Sequence, residues 1–227
     1  FIGGMNIAMR YLRGTSKQMW RDTHLQVWGG AVYAIQRAFL VDWYFVDRTL
    51  ITNTQYYPTI EKIEKNDCIA QVVTSSPISP WPDIMQGYVR ILLEARHYVY
   101  METPYFLPTE SVLFAIQTAA LAGVDVRLMM PSHSDAKIPE WASRSYIAAM
   151  VEAGVKVYLY ESGFNHSKLM VSDDSLCTCG STNIDFRSFE NNFEANIFFY
   201  DKPLALRMKQ VFLTDQESCT LIKSLSD

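Results

Sequence analysis

From about residue 69 the sequence alternates between short strand-forming runs and helical stretches, and this rhythm limits the fold more than any other feature. The strand segments are "IAQVVTS", "HYVYME", "VDVRLMM", "VKVYLY", "KLMVS", "LCTCG" and "ANIFFY". Helical patterns over 83–96, 110–122 and 138–153 separate most of them. Thr109-Glu110-Ser111 supplies a helix start. Gly123 and Gly154 sit where helices close in the left-handed conformation. Strands alternating with helices of this length predict an α/β layer fold whose mixed, mostly parallel sheet is flanked by helices. The last three strands are joined too tightly for helical crossovers, so they should be antiparallel. Upstream, 22–28 reads as a strand and 30–46 as a long helix, and 48–67 is a polar connector. The expected division is 1–66 and 67–227.

At 227 residues and 49% apolar composition, a sizeable core is available. The net charge of −4 argues against a nucleic-acid partner, which calls for a basic face. Cys68, Cys177, Cys179 and Cys219 show no metal-ligand spacing and read as reduced thiols. The longest apolar stretch, "GGAVYAIQRAFLVDWYFV", carries Gln36, Arg37 and Asp42 and reads as a helix of a soluble domain, not a bilayer span. The chain begins without Met or a signal peptide, so any membrane anchor is expected in segments outside it.

Chemistry concentrates in "NHSKLMVSDDSLCTCGSTN". His166, Lys168 and Asp173 form H-x-K-x4-D, followed by Gly180-Ser181-x-Asn183. Strand alternation puts His166 and Lys168 on one face, an imidazole beside an ammonium. That pair suits an anionic phosphoryl group. Lys168, the Asn183 amide and the Ser181 hydroxyl can stabilise its oxygens, and His166 can attack phosphorus or carry a proton. A carboxylate on the second imidazole nitrogen would fix the tautomer, and Glu194 is the candidate. Asp173 falls on the opposite face and is expected to hold the fold through hydrogen bonds or an ion pair.

A second, weaker pattern opens the chain. "FIGGMN" matches "TCGSTN", and each is followed by a strand that starts with an acidic residue, Asp22 or Glu194. This suggests a duplicated unit. The same spacing would place a first H-x-K-x4-D upstream of Phe1, its Asp seven residues before Gly3.

The H-x-K-x4-D segment resembles the second signature motif of the phospholipase D superfamily. "GSTNIDFRSFENNFEANIFFYD", "FIGGMNIAMRYL", "WRDTHLQVWGGAVYAIQRAFLVDW", "TPYFLPTESVLFAIQTAALAGVDVRLMMPSHSDAKI" and "ASRSYIAAMVEAGVKVYLYESGFNHSKLMVSDD" resemble bacterial cardiolipin synthases. The resemblance implies a phospholipase D-like fold, here one complete repeat plus the tail of the preceding one. It implies a phosphatidyl transfer without metal or other cofactor. One His attacks phosphatidylglycerol to give a phosphohistidine, and a second His, from the other repeat, serves as acid and base. Which of the two is nucleophile stays open. Asn6 would pair with the Lys of the first motif, and Asp22 would orient its His. The implied setting is the surface of a bacterial cytoplasmic membrane, reached through segments outside this chain. This stretch alone should be inactive, unless two copies form a homodimer sharing two His166.

Tyr105, His133 and Lys137 follow strand ends and are second-rank candidates for substrate contact, with core or surface-loop roles as the alternative. Arg144 lies in a block that resembles the family and is a candidate headgroup contact, with a solvated helix face as the even alternative. Trp141 and "SPISPWPD" offer apolar surface to a bilayer, though turn and core are the more ordinary roles. Two other readings compete with the transferase. One is a phosphodiesterase that hydrolyses lipid or nucleic-acid phosphodiesters, and the other is a silent binding module.

Overall fold

A computed structural model describes residues 1–15, 19–60 and 67–223. Among these, eight strands form the main sheet: β1 (Ile69–Ser75), β2 (Tyr98–Glu102), β3 (Asp125–Pro131), β4 (Lys156–Tyr160), β5 (Leu169–Ser172), β6 (Leu176–Gly180), β7 (Glu194–Tyr200) and β8 (Cys219–Leu221). Their spatial order is β8-β4-β3-β2-β5-β6-β7-β1. The sheet is mixed, with β2, β3 and β4 parallel and the other pairings antiparallel. The parallel part is therefore narrower than the expected mostly parallel sheet. Connection length explains it. Helices of 12 residues or so follow β2 and precede it, whereas a three-residue turn joins β5 to β6, which forces a hairpin.

The helices are α1 (Arg10–Arg13), α2 (Ala31–Asp47), α3 (Asp83–Glu94), α4 (Glu110–Leu121), α5 (Lys137–Ser145), α6 (Ile147–Glu152) and α7 (Lys202–Gln216). The expected helix over 138–153 divides at Tyr146 into α5 and α6. Gly123 and Gly154 close α4 and α6 at φ +91°, as the spacing required. The strands are apolar on both faces. Val99 and Met101 of β2 pack against α3, α4 and α6. Tyr98 and Tyr100 face the other way, toward Ala205, Met208 and Phe212 of α7. Neither α7 nor β8 was expected from the sequence. The signals are nonetheless there: Asp201 caps α7 by accepting from the Leu204 N–H at 2.7 Å, with Pro203 in the first turn.

The expected strand over 22–28 is broken. Trp20–Arg21 pairs in parallel with Phe164–Asn165, and His24–Leu25 pairs with Ile2–Gly3. Asp22 and Thr23 lie where the chain crosses from one pairing to the other. The connector holds a short 3-10 turn at Thr54–Tyr56, and its residues 61–66, including the expected unit boundary, lie outside the described residues.

Asp173 sits on the β5–β6 turn in the left-handed region, φ 51°. Its carboxylate accepts from the backbone N–H groups of Arg96, His97 and Tyr98 at 2.8, 2.9 and 2.9 Å. Those bonds outweigh the cost of burial and hold its pKa below the usual value. Asp173→Ala is expected to cost about 2 kcal/mol in urea unfolding, from the lost acceptors and the left-handed backbone. Asp173→Asn should lose roughly half as much. Because the folded pKa is lowered, this contribution is present above about pH 4 and fades as pH falls through the folded value.

Candidate active site

The parallel pairing of Trp20–Arg21 with Phe164–Asn165 builds the site. The next residues on each strand then lie side by side. The His166 N–H donates to the Arg21 carbonyl at 2.7 Å, and Asp22 Oδ2 lies 3.1 Å from His166 Nδ1. The sequence reading gave His166 to Glu194 and kept Asp22 for a His outside the chain, and the structure corrects both. Glu194, at the start of β7, instead accepts from the Ser181 hydroxyl and from Asn192 Nδ2 at 3.2 Å. The reason is the strand crossing, which a linear motif does not display.

With Nδ1–H donating to Asp22, His166 keeps a lone pair on Nε2. Lys168 Nζ donates to the His166 carbonyl at 2.7 Å and lies 3.1 Å from both ring nitrogens. The rings of Trp20, Phe164 and Tyr11 surround the imidazole at 5.2, 5.8 and 5.9 Å between centroids. This burial lowers the His166 pKa, and the neighbouring Lys168 adds to it, against the pull of Asp22. Burial also lowers Lys168 to about 8, against the attraction of Asp22, Glu194 and Asp185. Asn183 donates to Asp185 Oδ2 at 3.0 Å. Burial raises the Glu194 carboxyl despite its bond from Ser181. The result is a neutral imidazole next to a desolvated cation, a site that can bind an anion and either attack it or move a proton.

Gly4 allows the approach. A Cβ there would come within 2.8 Å of the His166 carbonyl, Asp22 Oδ2 and Lys168 Cδ. Gly180 is packed as tightly against Asn196 and the Ala195 carbonyl. The two Gly-x-x-Asn segments also share a register. Gly3 lies opposite His24, two residues after Asp22, and Gly180 lies opposite Asn196, two residues after Glu194.

Other expected residues are placed differently. Asn6 is exposed, its carbonyl accepting from Ala8. Tyr105 lies near the site, its ring 6.2 Å from Phe164 and its hydroxyl donating to Asp135 at 2.8 Å. His133 and Lys137 are exposed. Arg144 is tied to the Ser132 carbonyl at 3.0 Å and to Glu140, so it braces α5 and the preceding loop. Asp173 is at the far end of β5 from His166.

Several participants went unnoticed in the sequence. The Tyr11 hydroxyl lies 3.0 Å from His166 Nδ1. Arg21 donates to both carboxylate oxygens of Asp215, at 3.1 and 2.6 Å, and to Thr23 and Ser167. Beneath them Glu102 is fully buried, accepting from Asn165 at 3.2 Å, and burial raises its pKa. Arg21 thereby fastens the segment carrying Asp22 to α7 and, through Ser167, to the segment carrying His166. The one available signal was adjacency to Asp22 in "WRDTH". A cavity of about 690 Å³ lies elsewhere, against Asp83, Arg90 and Asp173, and brings together no comparable nucleophile and base. Among the described residues no group of His, Cys, Asp and Glu could hold a metal ion.

Residues 88–216 match the family described as cardiolipin synthase, PLD-like domain. The chain belongs to that family. It is 40% identical to a cardiolipin synthase of Clostridium perfringens (strain SM101 / Type A) over 228 residues, covering 98% of this chain and 48% of the relative. It is 41% identical to a cardiolipin synthase of Listeria monocytogenes serotype 4a over 219 residues, covering 95% of this chain and 45% of the relative. The chain thus spans about half the length of these relatives. Two solved structures share the fold. Phosphatidylserine synthase of Haemophilus influenzae aligns at TM-score 0.64 and 14% identity, over 87% of this chain and 55% of that one. Nuc of Salmonella typhimurium, a phospholipase D family member, aligns at TM-score 0.60 and 17% identity, over 70% of this chain and all of that one.

Proposed function

We propose that this chain is the His166-bearing half of a phosphatidyltransferase that makes cardiolipin from phosphatidylglycerol at the bacterial cytoplasmic membrane. The observation that carries the reading is the Asp22–His166–Lys168 constellation, within a chain of the cardiolipin synthase family. One imidazole attacks phosphorus, forming a P–N bond as the P–O bond to glycerol breaks. A second imidazole protonates the departing glycerol. It then takes the proton from the hydroxyl of a second phosphatidylglycerol, whose oxygen bonds to phosphorus as the P–N bond breaks and the first imidazole leaves. Lys168, Asn183 and Ser181 stabilise the phosphoryl oxygens as charge shifts onto them.

In this reading residues 1–66 are the tail of one unit and its connector, and 67–227 are a complete second unit. The shared register, in which each Gly lies opposite the residue two after the acid, supports it. The first H-x-K-x4-D lies in the other half of the longer protein, and relatives about twice as long as this chain accord with that. Asp22 serves the His of the opposite unit, so Glu194 serves the first-unit His by the same geometry. Asn6 faces the first-unit Lys.

The test is product analysis with phosphatidylglycerol vesicles. The 227-residue chain alone should give no turnover, and a protein joining it to the upstream half of the Clostridium perfringens relative should give cardiolipin. Phosphatidic acid as the product would move the assignment to hydrolysis. Robust cardiolipin formation by the isolated monomer would sink the split-site reading. Activity from a dimer sharing two His166 would replace it with a symmetric one.

A further inference from the structure

We propose that an apolar collar around the mouth of the site, formed by α1, the turn before α3, and α5, docks the chain onto the interface of an anionic phospholipid bilayer. Three separate segments meet at this end of the sheet. The first is α1, whose Tyr11 reaches His166 while Met9 and Leu12 are exposed. The second is the turn after β1. Ser75 at the end of β1 lies opposite Glu194, so the turn emerges beside the site. The third is α5, reached from the end of β3 through the loop whose Asp135 accepts from Tyr105. Ile78, Trp81, Ile138 and Trp141 on the second and third segments are 64% to 80% exposed.

α5 shows that this exposure is oriented. Its inner side is fastened down: Ser143 Oγ accepts from the Phe106 N–H at 3.0 Å, and Glu140 accepts from the Ser134 N–H at 3.0 Å. Ile138 and Trp141 are left facing out, with Lys137 beside them. Trp prefers the headgroup boundary, where its ring is half apolar and half wet. Basic side chains add attraction to anionic lipid. Arg10, stacked on the Trp20 ring at 4.3 Å, Arg13 and Lys137 are exposed in the same collar, alongside the exposed Asp83 and Asp135.

The position selects the occupant. A bilayer surface presents phosphodiesters to His166 without extracting acyl chains into water. The inference rests on the lipid-substrate reading above, and it adds which face meets the lipid.

The experiment is flotation of the 227-residue chain with vesicles of phosphatidylglycerol and phosphatidylcholine, with tryptophan quenching by brominated lipid. Binding needs no chemistry, so it separates the two readings. Native chain should float and be quenched, and Trp141→Phe should lose part of the quenching. The double variant Ile138→Ser/Trp141→Ser should need about tenfold more lipid for half-binding. Both positions are exposed, so circular dichroism should be unchanged. Leu121→Ser, equally exposed but at the far end of α4, should bind as native chain does. Native-like binding by the double variant together with Ile78→Ser/Trp81→Ser would overturn the collar and leave the transfer reading standing. A soluble dimer that fails to float, and that the double variant returns to monomer, would also overturn it and assign the collar to a second copy. Native chain that floats and is quenched, with no cardiolipin from the joined protein, would uphold the collar and overturn the transfer reading alone.

Discussion

Asparagine in place of Asp22 is expected to leave the fold standing and to cut cardiolipin formation by about 10³–10⁴-fold in the joined protein, close to the background of His166→Ala. In the proposed reaction the carboxylate has one task, to accept from Nδ1 and so keep the lone pair on Nε2. An amide can turn its NH2 toward the ring and stabilise the opposite tautomer. Asp22 also raises the His166 pKa against the effect of burial. Removing its charge should lower that pKa further, so whatever activity remains should have its acidic limb at lower pH. The same shift can be read without turnover by following the His166 ring protons by NMR in the 227-residue chain. A loss of less than about tenfold, with an unmoved imidazole titration, would remove Asp22 from the mechanism.

Methionine in place of Lys168 should make the chain more stable while transfer falls by about 10³-fold. The ammonium is 3% exposed, and its pKa is lowered from 10.5 to about 8. At pH 7 it is held charged at a cost of about 3 kcal/mol relative to the unfolded chain. Methionine of similar length removes that cost but leaves the His166 carbonyl without its donor, so the net gain is about 1–2 kcal/mol. The sign with pH follows from the lowered folded value. Between about pH 8 and 10.4 the unfolded state binds more protons, and the native chain gains stability as pH rises. The advantage of the variant should therefore shrink across that window. Denaturant midpoints at pH 7 and pH 10.5 are the measurement. A variant less stable at pH 7, with no convergence at high pH, would show that the cation supports the fold.

Much of this architecture is written locally. β2, β3 and β4 are apolar runs with helices between them, and Gly123 and Gly154 mark where those helices close. His166 and Lys168 share a face because strand alternation demands it, and Asp173 falls on the other for the same reason. What local pattern could not show is pairing between distant segments. Asp22 belongs to His166 because Trp20–Arg21 lies beside Phe164–Asn165, a contact between residues 144 apart. Glu194 looked equivalent because it starts a strand after the same motif. α7 escaped notice because Lys202, Arg207, Lys209 and Gln210 break up its apolar pattern, although Ala205, Met208 and Phe212 keep a buried stripe. The extent of parallel pairing was overestimated because the sequence shows connections, not which sheet edge a strand joins.

The crossing of Asp22 onto His166 bears on how such a protein can change over generations. In the two-unit reading proposed above, neither unit would own a complete set of reacting groups, so a mutation that spoils one could not be masked by its copy. A duplicated gene usually frees one copy to drift. In that reading each copy would hold what the other lacks, and the Asp22–His166 crossing would bind the two into a single inheritance.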